Sequence, residues 1–242
     1  MREGARHLDP EKVEAFYEIH IEQGPVLVHE EIPVGIVSGI RGNMRARHAK
    51  CLGEYAHSGA TPRKLRHDAA LGMAEFMTAM EAEWEKIEAA GNDLVFTLGK
   101  LYTDPDVHTH SKVPGEVRFT IDARDHEAET LDRVQTLAAE RAARIGGKRG
   151  LTIDLGPLSR VKPATMAPAL RENLRRGAET LGVSAMDIPS GGGHDAGDFA
   201  NAGVPAATLF VRNPHGSHNP REDMAMEDFA EAVKLLAWGL TH

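Results

Sequence analysis

EVRFTIDAR, residues 116–124, alternates apolar and polar side chains without a break: Val117, Phe119 and Ile121 fall on one side, and Arg118, Thr120, Asp122 and Arg124 on the other. Successive side chains of a β-strand point to opposite faces, so this stretch predicts a strand with one buried and one polar face. Downstream, Leu131, Val134, Leu137, Ala138 and Ile145 recur at helical spacing over residues 127–145, and LTIDLGP (151–157) returns to a strand. Upstream, LVFTLGKL (94–101) predicts a strand. Residues 68–90 predict a helix through Met73, Met77, Met80, Trp84 and Ile87, and residues 43–53 another strand. The order β-α-β-β-α-β is the split βαβ, or ferredoxin-like, motif. Residues 42–156 are therefore expected to form a compact inserted domain.

The flanking segments follow a different pattern. FYEIHIEQGP (16–25) alternates, with Tyr17, Ile19 and Ile21 opposite Glu18, His20 and Glu22, and Gly24-Pro25 ends the strand. A turn of helix is expected over 26–30, and IPVGIVSGI (32–40) reads as a buried strand, β-branched and almost wholly apolar. Beyond the insert come a helix around 168–181, the glycine-rich PSGGGHDAGDF (189–199) opening a short helix, and the strand AATLFV (206–211). The loop RNPHGSHNP (212–220) follows, then a last helix marked by Met226, Phe229, Val233, Leu236 and Leu240. This is an α/β pattern, a sheet with helices on its faces. Residues 1–41 and 157–242 are expected to form one discontinuous domain around the insert.

Composition narrows the function classes. The 242 residues carry 28 Lys plus Arg against 36 Asp plus Glu, a net charge of −8, and only 12 aromatic residues. Nucleic-acid binders need clustered cations and stacking aromatics, so that class is disfavoured. A single Cys excludes an internal disulfide framework and a cysteine-rich zinc site, and is compatible with the cytoplasmic location expected here. The opening MREGARHLDPEK is charged and has no apolar core, so a secretory leader is not expected. No apolar run approaches the length of a membrane span.

Four short strings could carry chemistry. His20 lies near the carboxyl end of a predicted strand, where open α/β sheets bind ligands. It is either a metal-binding imidazole or a partly exposed strand histidine. HGSHNP brings His215 and His218 into one loop, where both, one or neither can point inward. SGGGHDAGD sets His194 and Asp195 at a glycine-rich helix entry, either a ligand-approach loop or a flexible connection. AHSGATP holds His57 in a turn, without the frame of a nucleophile elbow. His7-Leu8-Asp9 and Glu30-Glu31 are read as structural, the second as a turn, and Cys51 as a small packing residue.

Taken in order, EIHIEQGP, GEYAHSGATPRKLRHDA, VPGEVRFTIDAR, SGGGHDAGDFANAGVPAATLFV and GSHNPREDM resemble the metal-dependent amidohydrolases of the M20 peptidase superfamily. The resemblance is strongest to the branch of N-carbamoyl-L-amino acid hydrolases, β-ureidopropionases and allantoate amidohydrolases. It implies an α/β catalytic domain with two divalent metals (Zn, Mn, Co or Ni) and an inserted lid domain that makes a homodimer. It implies His20 on one metal and His218 on the other, with Gln23 at the substrate. His57 would reach the partner subunit's site to hold the developing oxyanion, and Arg124 would clamp the substrate carboxylate. Gly193, His194 and Asp195 would line the cleft.

Two departures bear on that expectation. Ser111 stands three residues before Pro114, where the family usually has Asn; a hydroxyl lacks the paired donor and acceptor of an amide. The family's H-x-D strand, bridging Asp and Glu-Glu pair, which supplies the general base, do not precede HIEQGP here. The chain is thus expected to be the C-terminal portion of an enzyme acting on an N-carbamoyl or other ureido acid. Alone it should bind metal weakly and turn over little or nothing, and a missing N-terminal half is a candidate partner. The alternatives are an inactive dimerisation fragment, or an aminoacylase or peptidase of the same superfamily.

Overall fold

The computed structural model describes residues 9–242; His7 and Leu8 of the His7-Leu8-Asp9 string lie outside them. In chain order the elements are β1 (Phe16–Ile21), α1 (Val26–His29), β2 (Val34–Ile40), β3 (Gly42–Leu52), β4 (Ala56–His57), α2 (Ala69–Ala89), β5 (Val95–Thr97), β6 (Leu101–Tyr102), β7 (Lys112–Val113) and β8 (Glu116–Asp125). There follow α3 (Ala128–Arg149), β9 (Thr152–Asp154), β10 (Leu158–Val161), β11 (Ala164–Thr165), α4 (Pro168–Leu181), β12 (Ala185–Ser190), α5 (Asp195–Asn201), β13 (Ala206–Val211) and α6 (Met226–Thr241). The fold is mixed α/β. It divides into two units, Met1–Arg41 with Pro163–His242, and Gly42–Lys162.

In the first unit β1 runs parallel to β13, β13 antiparallel to β2, and β2 parallel to β12, while β11 pairs with Gly39 and Ile40 at the end of β2. Strand alternation divides the core. Ala207, Leu209 and Val211 of β13, with Tyr17 and Ile19 of β1, pack against Leu174 of α4 and Ala232 and Leu235 of α6. Ala206 and Phe210 face the other way, with Phe16, Leu27 and Ala196. Phe16 stacks on Phe199 of α5 at 3.9 Å between ring centroids. Glu18 and His20, two and four residues after Phe16, therefore lie on the α5 side of β1.

The second unit is an antiparallel sheet in which β9 and β10 pair with β3, β3 with β8, and β8 with β5 and β6. Its buried face carries Val117, Phe119, Ile121 and Ala123 of β8 with Met44, Ala46, Ala49 and Cys51 of β3, under α2 and α3. The register of β3 against β8 shifts between Ala46 and Ala49. The irregularity resets the alternation, so that alanines three apart both face the core.

Four differences from the sequence expectation have local causes. LVFTLGKL is not one strand. It breaks after Thr97, and the backbone N–H of Lys100 donates to the Thr120 hydroxyl before β6 begins. The helix expected to end at 145 runs to Arg149 and stops on Gly150, whose φ of 66° ends it without a Cβ penalty. β12 falls in a stretch for which no strand is expected; it contains Asp187 and Pro189, and at Pro189, which has no N–H, the pairing with β2 shifts register. The boundary falls after Lys162 rather than 156, because Leu158–Val161 continues as β10 against β3.

Candidate functional site

The first unit gathers a polar cluster at the carboxyl ends of its parallel strands β1 and β13. Past β1 the chain turns at Gln23, whose φ of 65° is uncommon for a residue with a Cβ. Gln23 is held there by its N–H, which donates to Oδ1 of the fully buried Asn213, two residues beyond β13 (3.0 Å). The preceding Glu22 turns back. Its carboxylate accepts from the backbone N–H groups of Val26 (2.7 Å) and Leu27 (2.8 Å) at the start of α1.

His20 Nδ1 donates to the Ile21 carbonyl at 2.8 Å; a carbonyl only accepts, so Nδ1 carries the proton and Nε2 keeps its lone pair. Its ring meets that of His194 edge-on at 4.7 Å. Glu18 lies beside His194: one carboxylate oxygen is 3.6 Å from His194 Nδ1, and the other accepts from the N–H of Ala196 at 2.9 Å. Burial opposes ionisation of Glu18, but His194, the Ala196 N–H and the nearby His20 outweigh it and hold this carboxyl below its ordinary range. The His194 side chain is only 2% exposed and its Nε2 has no hydrogen-bond partner.

The loop after β13 supplies the other wall. Glu222 accepts from the Ser217 hydroxyl at 2.6 Å and from the His218 N–H at 2.8 Å, and these bonds, with His218 and His20 nearby, lower its pKa. Gln23 donates through Nε2 to Ser217 Oγ at 3.1 Å. His218 itself has a φ of 60°. His215 is directed elsewhere, to Asp223 at 2.9 Å. Gly193 has open space where a side chain would stand, and Asp195 is exposed in the first turn of α5.

In the second unit His57 begins a turn beside the β4–β7 pairing, where it is opposite Lys112. Its Nδ1 accepts from the N–H groups of Gly59 and Ala60, each at 3.1 Å, which leaves the ring proton on Nε2, directed away from the turn. Ser111 accepts the Ser58 N–H through its carbonyl, and its hydroxyl lies 3.4 Å from that of Thr109. Arg124 grips Asp122 with two parallel bonds of 2.9 Å, and Arg45 reaches the same carboxylate at 2.9 Å. Burial raises the Asp122 pKa, but the two guanidinium groups lower it further than burial raises it.

Over residues 1–240 the sequence matches the model for peptidase family M20/M25/M40. The chain belongs to this family. At family level that classes it with metal-dependent amidohydrolases of the hydantoinase/carbamoylase type. It is 33% identical to an N-carbamoyl-L-amino acid amidohydrolase of Geobacillus stearothermophilus over 94% of this chain and 54% of that protein. It is 35% identical to the allantoate amidohydrolase of Escherichia coli (strain K12) over 93% of this chain and 53% of that protein. Among solved structures, a hydantoinase/carbamoylase-family amidase from Burkholderia multivorans superposes with a TM-score of 0.82 at 30% identity, covering 94% of this chain and 54% of the other. The M20 chain thus spans about half the length of the curated relatives it matches.

Of the residues singled out in the sequence, the structure brings His20, Gln23, His194 and His218 to one cluster in the first unit. Sequence reasoning missed Glu18, Asn213, Ser217 and Glu222, which orient them. Glu18 was legible in part, since it shares the His20 side of an alternating strand; Glu222 carried no signal, because its role depends on how the 212–225 loop folds. Among the described residues no group of three or more His, Cys, Asp or Glu side chains could hold a metal ion. A catalytic metal usually takes three protein ligands, so the described part of this M20 chain does not make a complete metal site.

Proposed function

We propose that the complete protein hydrolyses the C–N bond of an N-carbamoyl amino acid or related ureido acid, and that this chain carries part of its site. The observation that bears most weight is the polar cluster at the strand ends, in which half-buried Glu18, His20 and Gln23 surround the buried His194 side chain and exposed Glu222 borders them, in a chain akin to carbamoyl-amino acid and allantoate amidohydrolases. The first unit would be the catalytic α/β domain. The second would be a ferredoxin-like lid that pairs two copies of the chain, a reading favoured by its strand order and its two helices on one face.

Two divalent metals (Zn, Mn, Co or Ni) would supply a water activated near neutral pH. His20 and His218 would each give one ligand; His20 is suited to this because its Nδ1 is already engaged and Nε2 is left. The remaining ligands and the general base would come from outside this chain. Within it, Gln23 and His194 would orient the substrate, and Gly193 and Asp195 would border it. His57 would offer its Nε2–H to the developing oxyanion in a partner's site. Arg124, steadied by Asp122, would take the substrate carboxylate, with Ser111 nearby in the lid.

The net charge of −8 fits a small acidic substrate only where local cations gather, which gives Arg45 and Arg124 their importance. It does not fit nucleic acid. No helix among the described residues is long and apolar enough to cross a membrane. The test is to complete the chain with the N-terminal half of the Geobacillus stearothermophilus relative and to measure ammonia release from a panel of N-carbamoyl amino acids and from allantoate. Ammonia from one of them is expected. Cleavage of N-acyl amino acids or dipeptides alone would move the protein to the aminoacylase or peptidase reading.

A further inference from the structure

The sheet of the first unit has two margins, and they differ. At one lies β12, which pairs with β2 on the side away from β13. Its outer edge is poorly suited to further pairing. Pro189 is exposed and has no N–H, the ladder shifts register beside it, and the exposed Asp187 is gripped by Arg171 and Arg175. Proline, charge and broken register are devices by which sheets avoid pairing edge to edge.

The other margin is β1, which among the described residues pairs only with β13. FYEIHI contains no Pro, Gly or Lys, and its register with β13 runs unshifted from Phe16 to Ile21. The N–H groups of Phe16 and Glu22 donate to Pro205 and Val211 on the β13 side. Backbone direction alternates along a strand, so Phe16, Glu18, His20 and Glu22 face β13, while Tyr17, Ile19 and Ile21 direct their N–H and C=O groups outward. The Ile21 carbonyl also accepts from His20 Nδ1 and keeps a second lone pair. β1 is half-buried along its whole length, whereas β13 beside it is buried throughout. Such an edge is a template for another strand.

The sequence of β1 complements itself in one register. An antiparallel two-fold axis centred on Glu18 sets that carboxylate against the partner's Glu18. Centred on His20, it sets Glu18 against the partner's Glu22. Centred on Ile19, it pairs Ile19 with the partner's Ile19 and Tyr17 with the partner's Ile21 on one face. On the other face Glu18 meets the partner's His20, and no like charges are opposed.

We infer that the outer edge of β1 pairs antiparallel with β1 of a second copy of this chain, in the register centred on Ile19, and so continues the sheet of the first unit across a two-fold axis. This interface is distinct from the lid pairing proposed above and does not depend on the ureido reading of the site.

Residue-resolved hydrogen exchange, followed together with sedimentation up to the highest concentration at which the chain dissolves, reads the edge directly. The amides of Tyr17, Ile19 and Ile21 should exchange freely in dilute chain and slow on the order of tenfold or more as it associates. Those of Glu18 and His20, which face β13, should be protected throughout. A chain that stays monomeric, or that associates without slowing these three amides, overturns the inference; the second result leaves the lid as the contact. Slowing that appears only when the N-terminal half of the Geobacillus stearothermophilus relative is added gives the edge to that segment and overturns it also.

Two variants act on different parts of the interface. Ile21→Pro removes an outward N–H that β13 does not use and sets a ring against an incoming strand, so it should abolish the slowing at Tyr17 and Ile19. His20→Glu keeps every backbone group but opposes carboxylates across the axis, and should weaken association on the order of tenfold. Protected amides at positions 18 and 20 show that β1 is still in its sheet; if one variant loses them, the other decides. Unchanged association in a variant that keeps them overturns the proposal.

Discussion

Replacing Glu22 by Ala isolates what the acidic residue of HIEQGP does. The residue is 9% exposed, and its carboxylate satisfies two backbone donors that open α1. The two bonds are not of equal worth. Leu27 is fully buried, so its N–H would be left without any partner, and a lost bond to a charged acceptor costs about 1.5–3 kcal/mol. Val26 is 40% exposed, so water can replace the carboxylate there at a cost nearer 0.5–1 kcal/mol. Together these predict a loss of about 2–4 kcal/mol from the first unit. Glu22→Gln, which keeps an acceptor oxygen but not the charge, should lose roughly half as much.

The two tryptophans allow each unit to be followed separately, since Trp238 belongs to α6 of the first unit and Trp84 to α2 of the second. Fluorine NMR of fluorotryptophan-labelled chain during urea unfolding should move the Trp238 midpoint and leave that of Trp84 in place. Hydrogen exchange of the Leu27 amide should accelerate more than that of Val26. A Trp238 transition displaced by less than about 0.5 kcal/mol, within the scatter of surface substitutions, would refute the capping argument. Gly24 belongs to the same device, because a Cβ there would come within 2.8 Å of the Glu22 carboxylate.

Further outcomes can be measured on the same chain. Phe119→Ala empties a position that is 1% exposed and packed on Phe76 at 5.8 Å, so it should cost about 3–5 kcal/mol, read on Trp84 and not on Trp238. Asp122 has a lowered pKa in the folded chain, so its ionised form stabilises the second unit above the ordinary aspartate range, and that contribution is lost as pH falls through the folded value. Asp122→Asn should therefore flatten the acid limb of the Trp84 stability profile; an unchanged slope would show that the paired arginines add nothing. Cys51 is fully buried and its thiol is pushed up to about 11, so a thiol reagent at neutral pH should leave it unmodified until the second unit unfolds. Rapid labelling of the native chain would contradict that burial.

Periodicity was informative wherever a single surface decided the residue pattern. The alternation of EVRFTIDAR located β8 to within a residue, and the helix expected at 168–181 has those bounds in the structure. The signal failed where partners distant in sequence decided the outcome. AMDIPS becomes β12 because β2 offers it a parallel edge, and LSRV becomes β10 because β3 does. Neither stretch has a strong pattern of its own, since ladder bonds to a neighbouring strand do not require one.

The candidate site divides in the same way. Residue type and place along the chain brought forward His20, His194 and the pair His215 and His218, because imidazoles near strand ends are a local property, and the family resemblance singled out His218 from its pair. What each ring and amide presents to a ligand was not local. Glu18 acts on His194 across 176 positions of chain, and Asn213 turns Gln23 across 190. The sequence determined which chemistry-bearing groups the protein owns. Only the tertiary structure decided which lone pairs and protons they present, because hydrogen-bond polarity depends on partners that the fold alone brings within 3–4 Å.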